Sequence, residues 1–337
     1  MAFIAIPPQQ RSLMIVLFFL AFLLLIPART KKSRPYFQFV FPTLLVLLFL
    51  IIFPFLATLI LAVFHVDGTN LILFSWSFVG LENFRSLFTT NLDFFSTWRT
   101  LEFSIVAVTI ELIIGLVLGF SFARLGNRMD VLRVFFVLPV VIPPLIAGML
   151  WRSIFDQSFG VLNRFIELLG GVKVVWLSLS SPQFLETIGS SKNWLEPLLN
   201  LRPGLGCALV TEIWQWTPFV TLIIATALRT LPKEQIEWAK SQGAYSHAMI
   251  KHIYIPYILP VVGVVGILRL IDCLKTYESI WTLFANNSQT ATLTIRITTY
   301  ALETRNFGLG AALSVLYIIL ASVIIIIFAK QFFEANK

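Results

Sequence analysis

Long apolar runs separated by short polar connections dominate the pattern of this chain. A helix needs about 20 mostly apolar residues to cross a bilayer. Runs of that kind lie at 36–65, 101–123, 133–151, 205–228, 257–284 and 308–329, with a shorter one at 13–28. The pattern predicts six membrane helices, preceded by an extra N-terminal one.

Two polar stretches interrupt it. Residues 178–201 mix Ser, Pro and Gly among single apolar positions and read as an extracytoplasmic insertion. Residues 229–256 are more ordered. At helical spacing, Leu231 to Ile255 reads as an amphipathic helix, a break at Gly243 and a second short helix. Pro232 suits a helix start, and Pro256 and Pro260 mark the beginning of the next span.

Composition supports an all-α polytopic membrane protein. Charged residues make up 12% of the 337, against roughly a quarter in globular chains. The net charge of +8 does not point to nucleic acid, because the basic residues are scattered. Their distribution sets orientation instead. Residues 29–35, 124–133, 229–256 and 330–337 hold thirteen Lys/Arg against four acids, whereas the opposite loops hold ten against nine. The first set is therefore expected in the cytoplasm, together with the C-terminus. The cations at 29–34 follow the 13–28 run rather than precede it, which favours a retained span over a cleaved signal.

The chain carries little sign of chemistry of its own. Cys207 and Cys273 fall in expected spans and imply no disulfide framework. His65, His247 and His252 have no metal-ligand spacing, and no GxxxxGK[ST] phosphate loop occurs. No catalytic residue and no metal site are predicted.

Charges inside the apolar runs are informative. In LRLIDCLKTYESIW, Arg269, Asp272, Lys275 and Glu278 recur every three residues with alternating sign. Four such charges facing lipid would cost about 10 kcal/mol. That face is expected against protein or a watery cavity, as a self-paired seam between helices or as a pathway lining. Glu111 and Glu212 are isolated acids in other spans. Glu212 opens EIWQWTPF, with Gln215, Trp216 and Phe219 on adjoining helical faces and Pro218 placed to free a backbone carbonyl. Aromatic planes with amide and carboxylate groups suit a sugar site; an interfacial aromatic belt gives the same pattern.

The stretch EWAKSQGAYSHAMIKHIYIP resembles the EAA loop of binding-protein-dependent ABC importer permeases, EAAxxDGAxxxxxFxxIxLP, with Glu237, Ala239, Gly243, Ala244, Ile253 and Pro256 matching. Trp238 stands for an Ala, Gln242 for the Asp, Ile250 for the Phe and Ile255 for the Leu. FVGLENFRSLF at 78–88, the run at 138–163, WQWTPF at 214–219 and FGLGAALSVL at 307–316 resemble the carbohydrate-uptake, maltose-type branch. LFANNSQ stands where that branch has a T-x-GGP turn.

The resemblance implies a type I ABC importer transmembrane domain over 36–337, after an N-terminal helix and basic linker at 1–35. It implies a sugar or glycoside permease of a bacterial cytoplasmic membrane. The expected partners are a second permease in a heterodimer, two ATP-binding subunits and an extracytoplasmic solute-binding protein. MgATP would be held by those partners, with no cofactor in this chain. Glu237, Ala239, Gly243 and Ala244 would couple to the ATPase, the Gly–Ala pair letting the two short helices pack closely at the bend. By family position, Gln215, Trp216, Phe219, Arg269, Asp272, Cys273 and Thr276 would contact substrate. The main rival is an ion-coupled secondary transporter using Glu111, Glu212, Asp272 or Glu278. A polytopic membrane enzyme would need clustered acids or a metal site in an aqueous loop.

Overall fold

The computed structural model describes residues 34–73, 75–89, 91–124, 130–177 and 203–334. The 13–28 run and the 178–201 insertion lie outside them. The chain divides into two units, Met1–Leu61 and Ala62–Lys337.

The first unit is helical where described. α1 (Arg34–Leu47) passes through a π turn, Leu48–Ile52, into α2 (Phe53–Ala62). The span Val40–Ala62 has a mean hydropathy of 3.1 and is only 6% buried. A helix apolar on every side belongs in a membrane or inside an assembly. The π turn has a local cause. Pro54 has no N–H, and its ring would clash with the carbonyl four residues back. The preceding turn widens, Phe53 N–H bonding to Leu48 O.

The second unit opens with a small antiparallel pair, β1 (Phe64–His65) and β2 (Ser77–Phe78), around α3 (Gly68–Leu73). Asn83 of α4 (Glu82–Thr89) donates to the carbonyls of Ala62 and Phe64 at 2.9 Å and 2.9 Å. α5 (Asn91–Arg124) and α6 (Asp130–Val141) follow, then α7 (Pro144–Ile154) and α8 (Val161–Leu168).

The long α9 (Pro203–Arg229) leads into the polar loop, α10 (Lys233–Ser241), α11 (Ser246–Met249) and a second π turn, Ile250–Tyr254. The chain continues as α12 (Ile255–Leu274), α13 (Glu278–Phe284) and α14 (Leu293–Thr298). A third π turn, Thr299–Glu303, precedes α15 (Phe307–Glu334).

Five described helices are long and apolar enough to span a membrane: Val40–Ala62, Asp93–Arg124, Leu205–Arg229, His247–Leu274 and Phe307–Gln331. The expected span at 133–151 is instead divided between α6 and α7. Pro143 and Pro144 explain the break, since a residue before proline is pushed out of the helical region. Pro143 is extended at φ −55°, ψ 137°, and accepts from Ala147 N–H as α7 begins.

The expected span at 257–284 also differs. It begins earlier and stops at Leu274, where Lys275 and Thr276 turn their N–H groups back onto the carbonyls of Asp272 and Cys273. Nor is the second short helix after Gly243 separate, because α11 runs through the π turn directly into α12. Pro256 sits as far beyond its π turn as Pro54 does beyond the first, with Ile255 N–H bonded to Ile250 O.

α5 and α9 pack most closely, through Gly115 and Gly119. A Cβ on Gly115 would lie 2.5 Å from Val220 Cγ1, and one on Gly119 2.7 Å from Ile224 Cγ2. Small residues four apart let membrane helices approach in this way. Val220 and Ile224 join Ile258, Val262 and Val265 of α12 in one core cluster. A second cluster, nearer the other end of α5, gathers Phe103, Ala107, Cys207, Ala208, Cys273 and Ile280.

Candidate functional site

Three helices meet around one guanidinium. Arg269, on α12, is 1% exposed. Its Nε and Nη2 donate to the two carboxylate oxygens of Glu111 on α5 at 2.8 and 3.0 Å. Nη2 also donates to Glu212 Oε1 on α9 at 2.8 Å. Charges this deep persist only when paired and hydrogen-bonded. The two acids that look isolated along the chain are therefore the principal partners of Arg269. Asp272, the partner suggested by spacing, is 4.0 Å from Arg269 Nη1, and its side chain is 51% exposed. Lys275 reaches Asp272 Oδ1 at 3.3 Å. Glu278 does not continue the face, because it begins a new helix.

The sequence-read aromatic and amide positions lie beside this network. The Arg269 guanidinium stacks 4.4 Å from the centre of the Trp216 ring. One face of Trp216 is thus already covered by a cation rather than open to a ligand. Phe219 stands edge-on to Trp216 at 6.3 Å. Gln215 is fully buried, and its Nε2 donates to the carbonyl of Ile142 at 2.8 Å. That carbonyl is freed by the double-proline break, so Gln215 on α9 stitches the α6–α7 corner. α9 itself runs unbroken through Pro218.

The seven positions read as substrate contacts therefore separate. Trp216, Phe219 and Thr276 are half-buried and Asp272 is exposed, whereas Gln215 and Arg269 sit behind them. Cys273 is buried in the core with Phe103 and Ala107. Both cysteines are free thiols. Among the described residues no group of His, Cys, Asp and Glu can hold a metal ion.

The polar loop forms a second candidate site. α10 ends in a paired bond pattern, Gly243 N–H to Lys240 O at 2.9 Å and Ala244 N–H to Ala239 O at 3.0 Å. This is a Schellman cap, and it requires the left-handed conformation that Gly243 adopts at φ 76°. The expected close packing at the Gly–Ala bend is not found, since a Cβ on Gly243 would meet nothing within 4 Å. Gly243 serves by its dihedral freedom alone. Ala239 is buried, anchoring the inner face of α10, while Glu237 and Trp238 face outward. A recess of about 400 Å³ lined by Glu234, Gln235, Trp238 and Ile253 opens on that outer side.

Sequence reading missed a third feature. Asn163, 1% exposed, accepts from Val174 N–H at 2.9 Å and from the Trp176 indole at 3.0 Å, and donates to Val174 O at 2.8 Å. It ties the segment after α8 back onto that helix. The only linear signal was an Asn in the first turn of a short helix, VLNRF.

A match to the family described as binding-protein-dependent transport system inner membrane component covers residues 111–334. The chain belongs to that family. It is accordingly a multi-pass membrane permease component of a binding-protein-dependent transporter rather than a catalytic subunit.

Its family relatives include the trehalose/maltose transport system permease protein MalF of Thermococcus litoralis, 28% identical over 89% of this chain and 94% of that protein. The arabinooligosaccharides transport system permease protein AraP of Bacillus subtilis is 26% identical over 89% of each. In fold, the chain is similar to a subunit of a bacterial alginate ABC transporter, with a TM-score of 0.72 at 18% identity over 91% of this chain and 96% of that one.

Proposed function

We propose that this chain is one of two permease subunits of an ATP-driven importer carrying a neutral sugar or glycoside into a bacterial cell. The observation that carries the proposal is the exposed element Lys233–Tyr254. It has a rigid cap at Gly243, an outward Glu237 and Trp238, and a continuous helical connection into the span that bears Arg269. A push on α10 is transmitted along α11, the π turn and α12 to the ion network. ATP binding and hydrolysis belong to separate ATPase subunits that receive α10, and they drive alternating access.

The saccharide class is supported by the substrates named for MalF and AraP. On the substrate side, Trp216, Phe219, Asp272 and Thr276 form the accessible surface, with Gln215 and Arg269 supporting it from behind. Asp272 accepts from sugar hydroxyls, and the open side of Trp216 lies against the apolar face of a sugar ring. The charge asymmetry of the loops supports a cytoplasmic α10 element and C-terminus.

Reconstitution with a partner permease, two ATPase subunits and a solute-binding protein tests this reading. Sugar uptake into vesicles should require ATP and should cease with Gly243→Val while the complex still assembles. Uptake by this chain alone under an ion gradient would overturn the reading and favour a carboxylate-coupled secondary transporter.

A further inference from the structure

We propose that the network of Glu111, Glu212, Arg269, Asp272 and Lys275 is a charge filter that admits uncharged polyhydroxy ligands and turns away those bearing a carboxylate or sulfonate. The inference rests on the reading above that Trp216, Asp272 and Thr276 face the substrate path, and it adds the rule by which that path chooses.

An arginine on the path of a sugar permease looks at first like an anion receptor. Its surroundings rule that out. Three carboxylates and two cations are linked by contacts of 4.0 Å or less. Fully ionised, the network carries one negative charge; with one carboxyl protonated it is neutral. In neither state is its net charge positive. Most of the guanidinium is already engaged, with Nε and Nη2 held by Glu111 and Glu212 and one π face held by Trp216, which leaves Nη1 as its one nitrogen without a hydrogen bond. The two accessible charges, Asp272 and the more exposed Lys275, pair at 3.3 Å and cancel, so the excess charge is that of the buried Glu111–Arg269–Glu212 group.

Two buried atoms point to what is accepted. Arg269 Nη1 and Gln215 Oε1 have no hydrogen-bond partner among the described residues, although Arg269 is 1% and Gln215 0% exposed. Both lie within a helical turn of Glu212, one bonded to it through the same guanidinium and the other three residues on. Buried polar groups need partners. One is an orphan donor and the other an orphan acceptor. A hydroxyl, which donates and accepts, can serve both kinds. A carboxylate only accepts, so it could meet Arg269 Nη1 but would leave Gln215 Oε1 without a partner.

Proteoliposomes containing the whole transporter test the filter. Uptake of a neutral disaccharide (maltose or trehalose) is compared with that of the same disaccharide oxidised to a uronic acid at C6. Each rate is divided by the measured occupancy of the solute-binding protein. The neutral sugar should be preferred by about tenfold or more, as expected for like charges brought together. Asp272→Asn and Glu212→Gln should each shrink that preference severalfold by removing one negative charge. Asp272 is exposed, so its variant reports on the filter even where the buried Glu212→Gln fails to fold. Equal uptake of the two sugars, or an unchanged preference in both variants, overturns the filter while leaving the importer reading intact. An assembled, ATP-hydrolysing complex that carries neither sugar overturns the pathway reading and the filter together.

Discussion

Arg269 and Glu111 are 158 positions apart in the chain, yet the guanidinium grips both oxygens of the carboxylate, at 2.8 and 3.0 Å. With Glu212 as the third member, this contact ties α5, α9 and α12 at one depth. Removing the cation would leave two buried carboxylates facing each other. Arg269→Met should therefore destabilise the purified permease by about 3–5 kcal/mol. Combining it with Glu111→Gln and Glu212→Gln should recover much of that loss. Thermal unfolding of the detergent-solubilised complex measures both.

The α5–α9 contact makes a second prediction. Gly115→Ala places a methyl 2.5 Å from Val220 Cγ1. Overpacking of this kind costs about 1–3 kcal/mol. Val220→Ala opens room on the facing helix, so the double variant should be more stable than Gly115→Ala alone. A double-mutant cycle on thermal midpoints reads the coupling directly, and strict additivity would count against the close approach.

At the loop, Gly243→Val forces a β-branched residue to φ 76°. The cost of the left-handed region is about 1–2 kcal/mol, which the Schellman cap cannot absorb. Membrane insertion should be normal while sugar-stimulated ATP hydrolysis falls. Gly243→Asn, which tolerates this conformation, should retain most of the stimulation.

Asn163→Ala removes a side chain that holds Val174 and Trp176. Leaving these half-buried partners unpaired costs about 1 kcal/mol. The expected result is faster amide exchange at Val174, with exchange in α9 unchanged. Protection equal to wild type would show that the loop holds without this residue.

Local features were legible in the sequence and long-range ones were not. The Gly243 break and the amphipathic character of 231–241 follow from spacing within a few turns, and the structure has both. Of the apolar runs, 133–151 is split at Pro143 and Pro144, 257–284 stops at Leu274, and 13–28 lies outside the described residues. The three-residue rule led to Asp272 as the partner of Arg269, because spacing contains no information about α5 or α9. For the same reason Trp216 read as a bare stacking plate, though a residue 53 positions later covers one face of it. The prolines were visible, but their effects diverged. Pro143 with Pro144 breaks a helix, Pro218 is carried through, and Pro54 and Pro256 are each preceded by a π turn. What decides is the neighbourhood: Gln215 donates to the carbonyl freed at the break, and a widened turn relieves the clash at Pro54 and Pro256.

The π turn at Ile250–Tyr254 also fixes an angle. A π turn is an α-helix holding one surplus residue. Each residue of an α-helix corresponds to about 100° of rotation and 1.5 Å of rise. Trimming one residue between Ile250 and Tyr254 would restore plain α-helix and swing everything before it, Trp238 and Glu237 included, by about a quarter turn around the axis of α12. The outer face of α10 would then address a different direction around that axis. The five residues of the π turn, Ile250–Tyr254, act as a phase-setter between the outer face of α10 and the transmembrane helix, much as a keyed shaft fixes the orientation of a gear.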